Sequence, residues 1–163
     1  MGLALVEANA CTPSPTAFCV GCVLTASWPT DDVQPTVVAS AYSRELPGNT
    51  HAEANALAKL RALAPAGIQA LFPACSSLTI HDMLRRVDVY TTMEPCSVRT
   101  SGLAPCADAL IAAGIRRCFI GVREPPDFVT CEGAQKLRDA GIEVVWMEGF
   151  EEECLRAARR GHN

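Results

Sequence analysis

Short apolar runs, punctuated by Pro, Gly and Asn, organise this chain. Residues 18–26 (FCVGCVLTA) are almost continuously apolar, rich in Val and Cys and without a helical stripe, which predicts a buried strand. Gly21 inside it predicts a bulge or a close backbone approach. Residues 36–42 follow a polar turn at 28–34 and predict a second strand, paired with the first as an antiparallel hairpin. Ahead of them, residues 3–10 predict a short helix that Pro13 and Pro15 end. Beyond the loop 43–50, with Pro47-Gly48-Asn49 as its turn, Ala56, Leu57, Leu60 and Leu63 recur at helical spacing. They predict a helix from 51 to about 63, and Thr50 followed three residues later by Glu53 reads as its capping box. Residues 64–77 predict an irregular connection holding a short helix, and 81–86 a helical turn. Strands are predicted at 87–92 (VDVYTT, alternating), 117–122 (RCFIGV) and 142–147. A helix opened by Pro105 runs to Gly114, a second spans 131–140, and a turn at 124–127 separates the fourth strand from that second helix. A last helix covers 151–160, with an acidic start and a basic end that complement its dipole.

The order β-β-α-β-α-β-α-β-α predicts an α/β fold: a mixed five-stranded sheet inside a three-layer α/β/α domain. Strands joined by single helices should be parallel, through right-handed crossovers. At 163 residues one domain spanning 1–163 is expected, and 49% hydrophobic against 20% charged residues excludes a disordered chain. No run reaches the roughly 18 apolar residues of a membrane span, so no membrane partner is expected. The apolar start lacks the basic flank of a signal peptide. The nine cysteines, odd in number and irregular in spacing, therefore read as free thiols in a reducing, cytoplasmic setting. Cys19, Cys22, Cys118 and Cys154 sit among apolar residues and read as buried small hydrophobes. With a net charge of −4, and arginines in pairs at 85–86, 116–117 and 159–160 rather than in a run, the chain is not expected to bind nucleic acid. Those pairs read as solvated helix ends and strand flanks, and the expected partner is a small molecule.

Cys96 and Cys106 differ from the other thiols because each follows Pro in a chain that also carries His51-Ala52-Glu53. One imidazole and two thiolates can hold one Zn2+ per chain through three protein ligands, leaving the fourth position for water. His51 and Cys106 fall in the first turns of two predicted helices, whose positive ends favour anions and ease thiol ionisation. Glu53, two residues past His51, is placed to move the water's protons as the catalytic group; its alternative role is the helix cap alone. The Ala52 backbone N–H, near the helix start, is placed to orient the reacting group. A structural zinc site would close with a fourth protein ligand, and Cys131 is the nearest spare thiol outside a predicted strand. His81 and His162 have no second ligand at metal spacing and read as ordinary surface or packing residues.

This set matches the H-x-E…P-C-x-x-C pattern of zinc-dependent nucleobase deaminases, except that nine residues, 97–105, separate the two cysteines. The chain resembles the cytidine deaminase superfamily. SRELPGNTHAE (43–53), TMEPCSVRTSGLAPC (92–106) and GVREPPDFVTCEGAQKLRDAGIEV (121–144) resemble in particular the riboflavin-pathway deaminases of the fungal type. The resemblance implies a cytidine deaminase-like fold, zinc held by His51, Cys96 and Cys106, and Glu53 as proton shuttle. It implies hydrolysis of 2,5-diamino-6-ribitylamino-4(3H)-pyrimidinone 5′-phosphate to 5-amino-6-ribitylaminouracil 5′-phosphate and ammonia, and a homodimer. The bacterial relatives carry Asn-Pro where this chain has Ala17-Phe18, and a His where it has Val98, so their substrate contacts do not carry over. Their fused reductase domain is not expected within 163 residues. For the phosphorylated substrate, Arg44, Glu45, Asn49, Arg99, Thr100 and Ser101 are candidate contacts, since they lie beside the metal ligands on loops. A cytidine, cytosine or guanine deaminase shares the metal chemistry, and an inactive zinc-stabilised interaction module shares the ligands.

Overall fold

A computed structural model describes residues 1–75, 77–99, 102–125 and 131–162. Helix α1 (Gly2–Ala10) leads into the hairpin of β1 (Gly21–Ala26) and β2 (Thr36–Tyr42). Then come α2 (Ala52–Arg61), α3 (Pro65–Leu71), α4 (Ile80–Leu84) and β3 (Val87–Met93). The chain closes with α5 (Cys106–Ala113), β4 (Arg117–Val122), α6 (Gly133–Asp139), β5 (Glu143–Trp146) and α7 (Glu151–Ala158).

The sheet order is β2-β1-β3-β4-β5. β1 is antiparallel to both neighbours, while β3, β4 and β5 are mutually parallel. The mixed five-stranded sheet is thus the expected one, and single-helix connections give the parallel pairs. One face packs on α1 and α7, through Leu5, Ala8, Cys154 and Ala157. The other carries the larger core, in which Leu24, Leu57, Leu60, Val89, Leu110 and Leu137 are at most 1% exposed. Each such side chain contributes roughly 1.5–3 kcal/mol by leaving water. With helices on both faces, every residue of β1 is buried, as are all but one of β3, which is why β1 reads as an unbroken apolar run. The four cysteines read as hydrophobes are fully buried, and no cysteine is paired.

One local expectation is narrowed and two change. Gly21 marks a close approach and not a bulge: a Cβ there would lie 2.0 Å from the Ala4 carbonyl oxygen of α1. The bulge falls between Leu24 and Thr25. Thr50 does not cap α2; His51 is the N-cap residue, and no side chain caps that end. Thr50 Oγ1 instead donates to Leu46 O at 3.1 Å and accepts from Asn55 Nδ2 at 3.0 Å. Finally, Arg116 and Arg117 are not solvated flanks. Both bind Asp88 of β3, a carboxylate only 2% exposed. Arg160 likewise donates to the Ala8 and Cys11 carbonyls and ties the last helix to the first.

Candidate metal and active site

Two features of the fold converge at one end of the sheet. β3 and β4 end together, with Met93 beside Val122, and parallel strands present their C-terminal ends to ligands. The N-termini of α2 and α5 point at the same place, since His51 immediately precedes the first and Cys106 opens the second. The Glu94-Pro95-Cys96 segment that follows β3 lies between them. Gly133 is needed to seat it: a Cβ there would lie 1.7 Å from the Pro95 carbonyl oxygen.

The three proposed ligands meet here. Cys96 Sγ lies 3.4 Å and Cys106 Sγ 3.5 Å from His51 Nδ1, and the three donor atoms all fall within 4.8 Å of one another. Tetrahedral zinc with its usual bond lengths spaces a nitrogen and a sulfur ligand about 3.6 Å apart. The donor set therefore fits zinc in both chemistry and spacing. Among the described residues no fourth His, Cys, Asp or Glu joins the group. Cys131, the spare thiol, donates instead to the Pro95 carbonyl at 3.4 Å.

The electrostatics are those of a cation site. The Cys106 thiol, the His51 ring and the Cys106 backbone N–H (3.3 Å from Cys96 Sγ) all favour a Cys96 thiolate, and against burial they bring it down to about 4. The neighbouring Cys96 charge and burial push Cys106 the other way. The first backbone N–H of α5 thus supports negative charge on Cys96. Burial disfavours a charged His51, but its hydrogen bond to Cys96 and the nearby Glu53 outweigh this and raise it. Without a cation the three groups hold less negative charge than their chemistry allows; a dication removes that conflict.

Glu53 is 3% exposed, and burial raises its carboxyl above the usual range. Its Oε1 lies 3.1 Å from Thr91 Oγ1, whose hydroxyl also reaches the Met93 carbonyl at 3.0 Å. Thr91 was not singled out in the sequence, where it is one more strand threonine.

A cavity of about 210 Å³ opens onto His51, Glu53 and Cys96. Its walls include Ala17, Phe18 and Val98. Of the candidate contacts, Arg44, Asn49 and Arg99 line it. Arg44, at a left-handed φ of 62°, turns its guanidinium into the protein, donating to Phe18 O at 2.9 Å and Thr12 O at 2.8 Å. It braces the wall. Arg99 Nη2 donates to Asn49 O at 2.6 Å and ties the two metal loops together. Glu45 is not in the lining; it pairs with Lys59 of α2. Ala52 has its methyl in the core. Thr100 and Ser101 lie outside the described residues, as does part of the 124–127 turn. Two acidic residues that sequence reasoning passed over, Glu94 and Glu124, also line the cavity. Burial pushes the Glu124 carboxyl up to about 7. His81 is a surface residue, to which Arg85 Nε donates at 3.3 Å, and His162 a packing one, stacked on Phe18 at 5.1 Å.

Residues 1–122 match the model of the cytidine and deoxycytidylate deaminase zinc-binding region. The chain belongs to this deaminase family. Among curated members it is 38% identical over 159 residues to the diaminohydroxyphosphoribosylamino-pyrimidine deaminase of Schizosaccharomyces pombe. That match covers 98% of this chain and 34% of the relative, so the chain spans about a third of the protein it matches. Among solved family structures, Aspergillus oryzae Rib2 deaminase, as a C-terminal deletion mutant, superposes with a TM-score of 0.75 at 31% identity. The superposition covers 99% of this chain and 90% of that one, and the same deaminase has been solved in complex with DARIPP. The bifunctional deaminase/reductase of Thermotoga maritima superposes with a TM-score of 0.67 at 25% identity, over 97% of this chain and 38% of that one. The likeness to fungal-type riboflavin-pathway deaminases, read from three segments, thus extends over nearly the whole chain, and the cytidine deaminase-like fold is the one found. The cofactor of this family's site is zinc, and His51, Cys96 and Cys106 are the residues grouped to hold it.

Proposed function

We propose that the chain, acting as one domain, hydrolyses 2,5-diamino-6-ribitylamino-4(3H)-pyrimidinone 5′-phosphate to 5-amino-6-ribitylaminouracil 5′-phosphate and ammonia, a step of riboflavin biosynthesis. The observation that carries this reading is a three-donor zinc set, not closed by a fourth ligand-type side chain among the described residues, that shares a cavity with the buried carboxylate Glu53. The relatives named above support the substrate. Bound by His51, Cys96 and Cys106, zinc supplies the Lewis acid that brings a water proton within reach of a carboxylate.

Glu53 does the proton work. It takes a proton from the attacking water and delivers it to a ring nitrogen beside C2, while the water oxygen forms its bond to C2. It then moves the second proton from the added hydroxyl to the 2-amino group; the freed O–H pair closes the C2=O bond as the C–N bond breaks, and ammonia leaves with the C–N pair. A carboxyl that burial raises above its ordinary value holds a proton more readily, which suits a group that must both take and give one. Thr91 holds Oε1 in place, and the Ala52 N–H at the start of α2 orients the reacting ring. The cavity takes the pyrimidine, and the ribityl phosphate runs to its mouth, where Arg99 and Asn49 are placed to meet it. Arg44 fixes the wall behind.

In this reading two copies form a homodimer: exposed Leu3 and Val6 of α1 and Val37 of the edge strand β2 offer apolar surface for it. A reducing, cytoplasmic setting keeps the two ligand thiols available. No helix among the described residues is long and apolar enough to cross a membrane.

Zinc-loaded protein incubated with the diaminopyrimidine phosphate should release ammonia. Ammonia from cytidine, deoxycytidylate, cytosine or guanine, with none from the diaminopyrimidine, would replace this reading with a simpler nucleobase deaminase. No turnover on any of them would leave an interaction module.

A further inference from the structure

One acidic side chain in the cavity takes no part in the chemistry assigned above. Glu124 follows β4, whose end lies beside that of β3, so it leaves the sheet next to the Glu94-Pro95-Cys96 segment. It lines the same cavity as His51 and Glu53. Its Oε2 is buried and has no hydrogen-bond partner among the described residues. Glu94 also keeps an unmatched Oε2, but its other oxygen accepts the Ala134 amide at 2.9 Å and so holds the first turn of α6. Glu124 lies against the Cys131 side chain, but that thiol donates to the Pro95 carbonyl, and Oε2 is left open to the cavity. A buried acceptor without a donor destabilises the empty protein, and a ligand N–H relieves it.

We propose that Glu124 is a specificity residue: its carboxylate accepts a hydrogen bond from an N–H on the ring edge of the substrate and so selects the diaminopyrimidinone over a cytosine ring. This rests on the substrate reading above. Apart from the amino group that is lost, the cytosine ring of a nucleoside offers no N–H; N3 and O2 are acceptors, and C5 and C6 carry only hydrogen. The diaminopyrimidinone offers its ring N3–H, its 5-amino group and its 6-N–H. A carboxylate oxygen facing the ring pairs with the second molecule and meets lone pairs or C–H groups in the first. Discrimination of this kind is strong because the wrong ring leaves the protein's buried polar atom unmatched. A hydrogen bond to a charged group corresponds to about 10- to 100-fold in binding.

The test compares Glu124→Ala and Glu124→Gln with wild type, as the full zinc-loaded chain. Four quantities are read: zinc content, Tm without ligand, the Kd for ribitylaminouracil phosphate by calorimetry, and kcat/KM for the diaminopyrimidine phosphate against deoxycytidylate. The product keeps all three N–H groups, so its Kd reports the contact without turnover. Zinc content should be unchanged and Tm equal or higher. The product Kd and substrate KM should rise about 10- to 100-fold for Glu124→Ala, and the preference over deoxycytidylate should fall by the same factor. An unchanged Kd and preference in both variants, or a loss accompanied by lower Tm and zinc content, overturns the assignment. If wild type acts on the diaminopyrimidine while Glu124→Ala binds product equally well, this inference alone fails. If wild type does not act on it, the substrate reading fails and takes this inference with it.

Discussion

Asp88→Asn tests how the sheet is fastened at the end opposite the site. The Asp88 carboxylate accepts from Arg116 Nε and Nη2 at 3.0 and 2.8 Å and from Arg117 Nε and Nη2 at 3.0 and 2.6 Å, two forked pairs on one group. Asparagine keeps the volume, removes the charge and places an N–H where a guanidinium donates. Breaking a buried ion pair costs about 3–5 kcal/mol. The low end applies, about 3 kcal/mol, because the arginine side chains remain 23% and 34% exposed and keep part of their hydration. For a chain of this length that is a fall in Tm of roughly 6–12 °C. The effect has a pH signature. Burial works against the Asp88 charge, but hydrogen bonds from Arg117 and Arg116 outweigh it and hold the carboxyl below its ordinary value. A depressed folded-state value means the stability is fully present above the unfolded value, about 3.9, and is lost as pH falls through the lower folded value. Urea unfolding of both proteins at pH 7, 5 and 3.5 should therefore show a constant gap at the first two and a smaller one at the third. Equal midpoints at pH 7, or a gap that widens in acid, would refute the reasoning.

Three further outcomes follow from single contacts. Gly133→Ala forces a methyl onto the Pro95 carbonyl and should lower zinc affinity, measured by competition with a chromophoric chelator, more than it lowers Tm. Gly21→Ala drives a Cβ into the Ala4 carbonyl and should destabilise by about 1–3 kcal/mol or more in urea, with protease cutting first at α1. Thr91→Val loses the hydroxyl 3.1 Å from Glu53 and should reduce kcat about tenfold at unchanged zinc content; an unchanged kcat would show that Glu53 needs no such support.

The elements were legible because their signals are local. The unbroken apolar run of β1 and the Gly114 stop, at a left-handed φ of 67°, announce themselves in a handful of residues. The zinc donors were legible because His, Glu and Pro-Cys form a pattern that few other chemistries need. Long-range pairings were not. Nothing near Asp88 in sequence says that two arginines nearly thirty residues on will close over it. Thr50 had the composition of a cap but found Leu46 and Asn55 instead, since tertiary contacts outweigh a local preference. Arg44 read as a phosphate clamp because its carbonyl partners, Thr12 and Phe18, come from a distant turn. Glu94 and Glu124 stayed hidden among solvated acids until the parallel ends of β3 and β4 brought them into one cavity.

The most direct test of the account is ammonia release and bound zinc measured together for wild type and Glu53→Gln on the diaminopyrimidine phosphate. The account predicts matching zinc content, about one ion per chain, and a turnover lower by roughly 10²–10⁴-fold in the variant, the weight of a positioned proton carrier. Undiminished turnover in Glu53→Gln, or zinc lost along with activity, would contradict it.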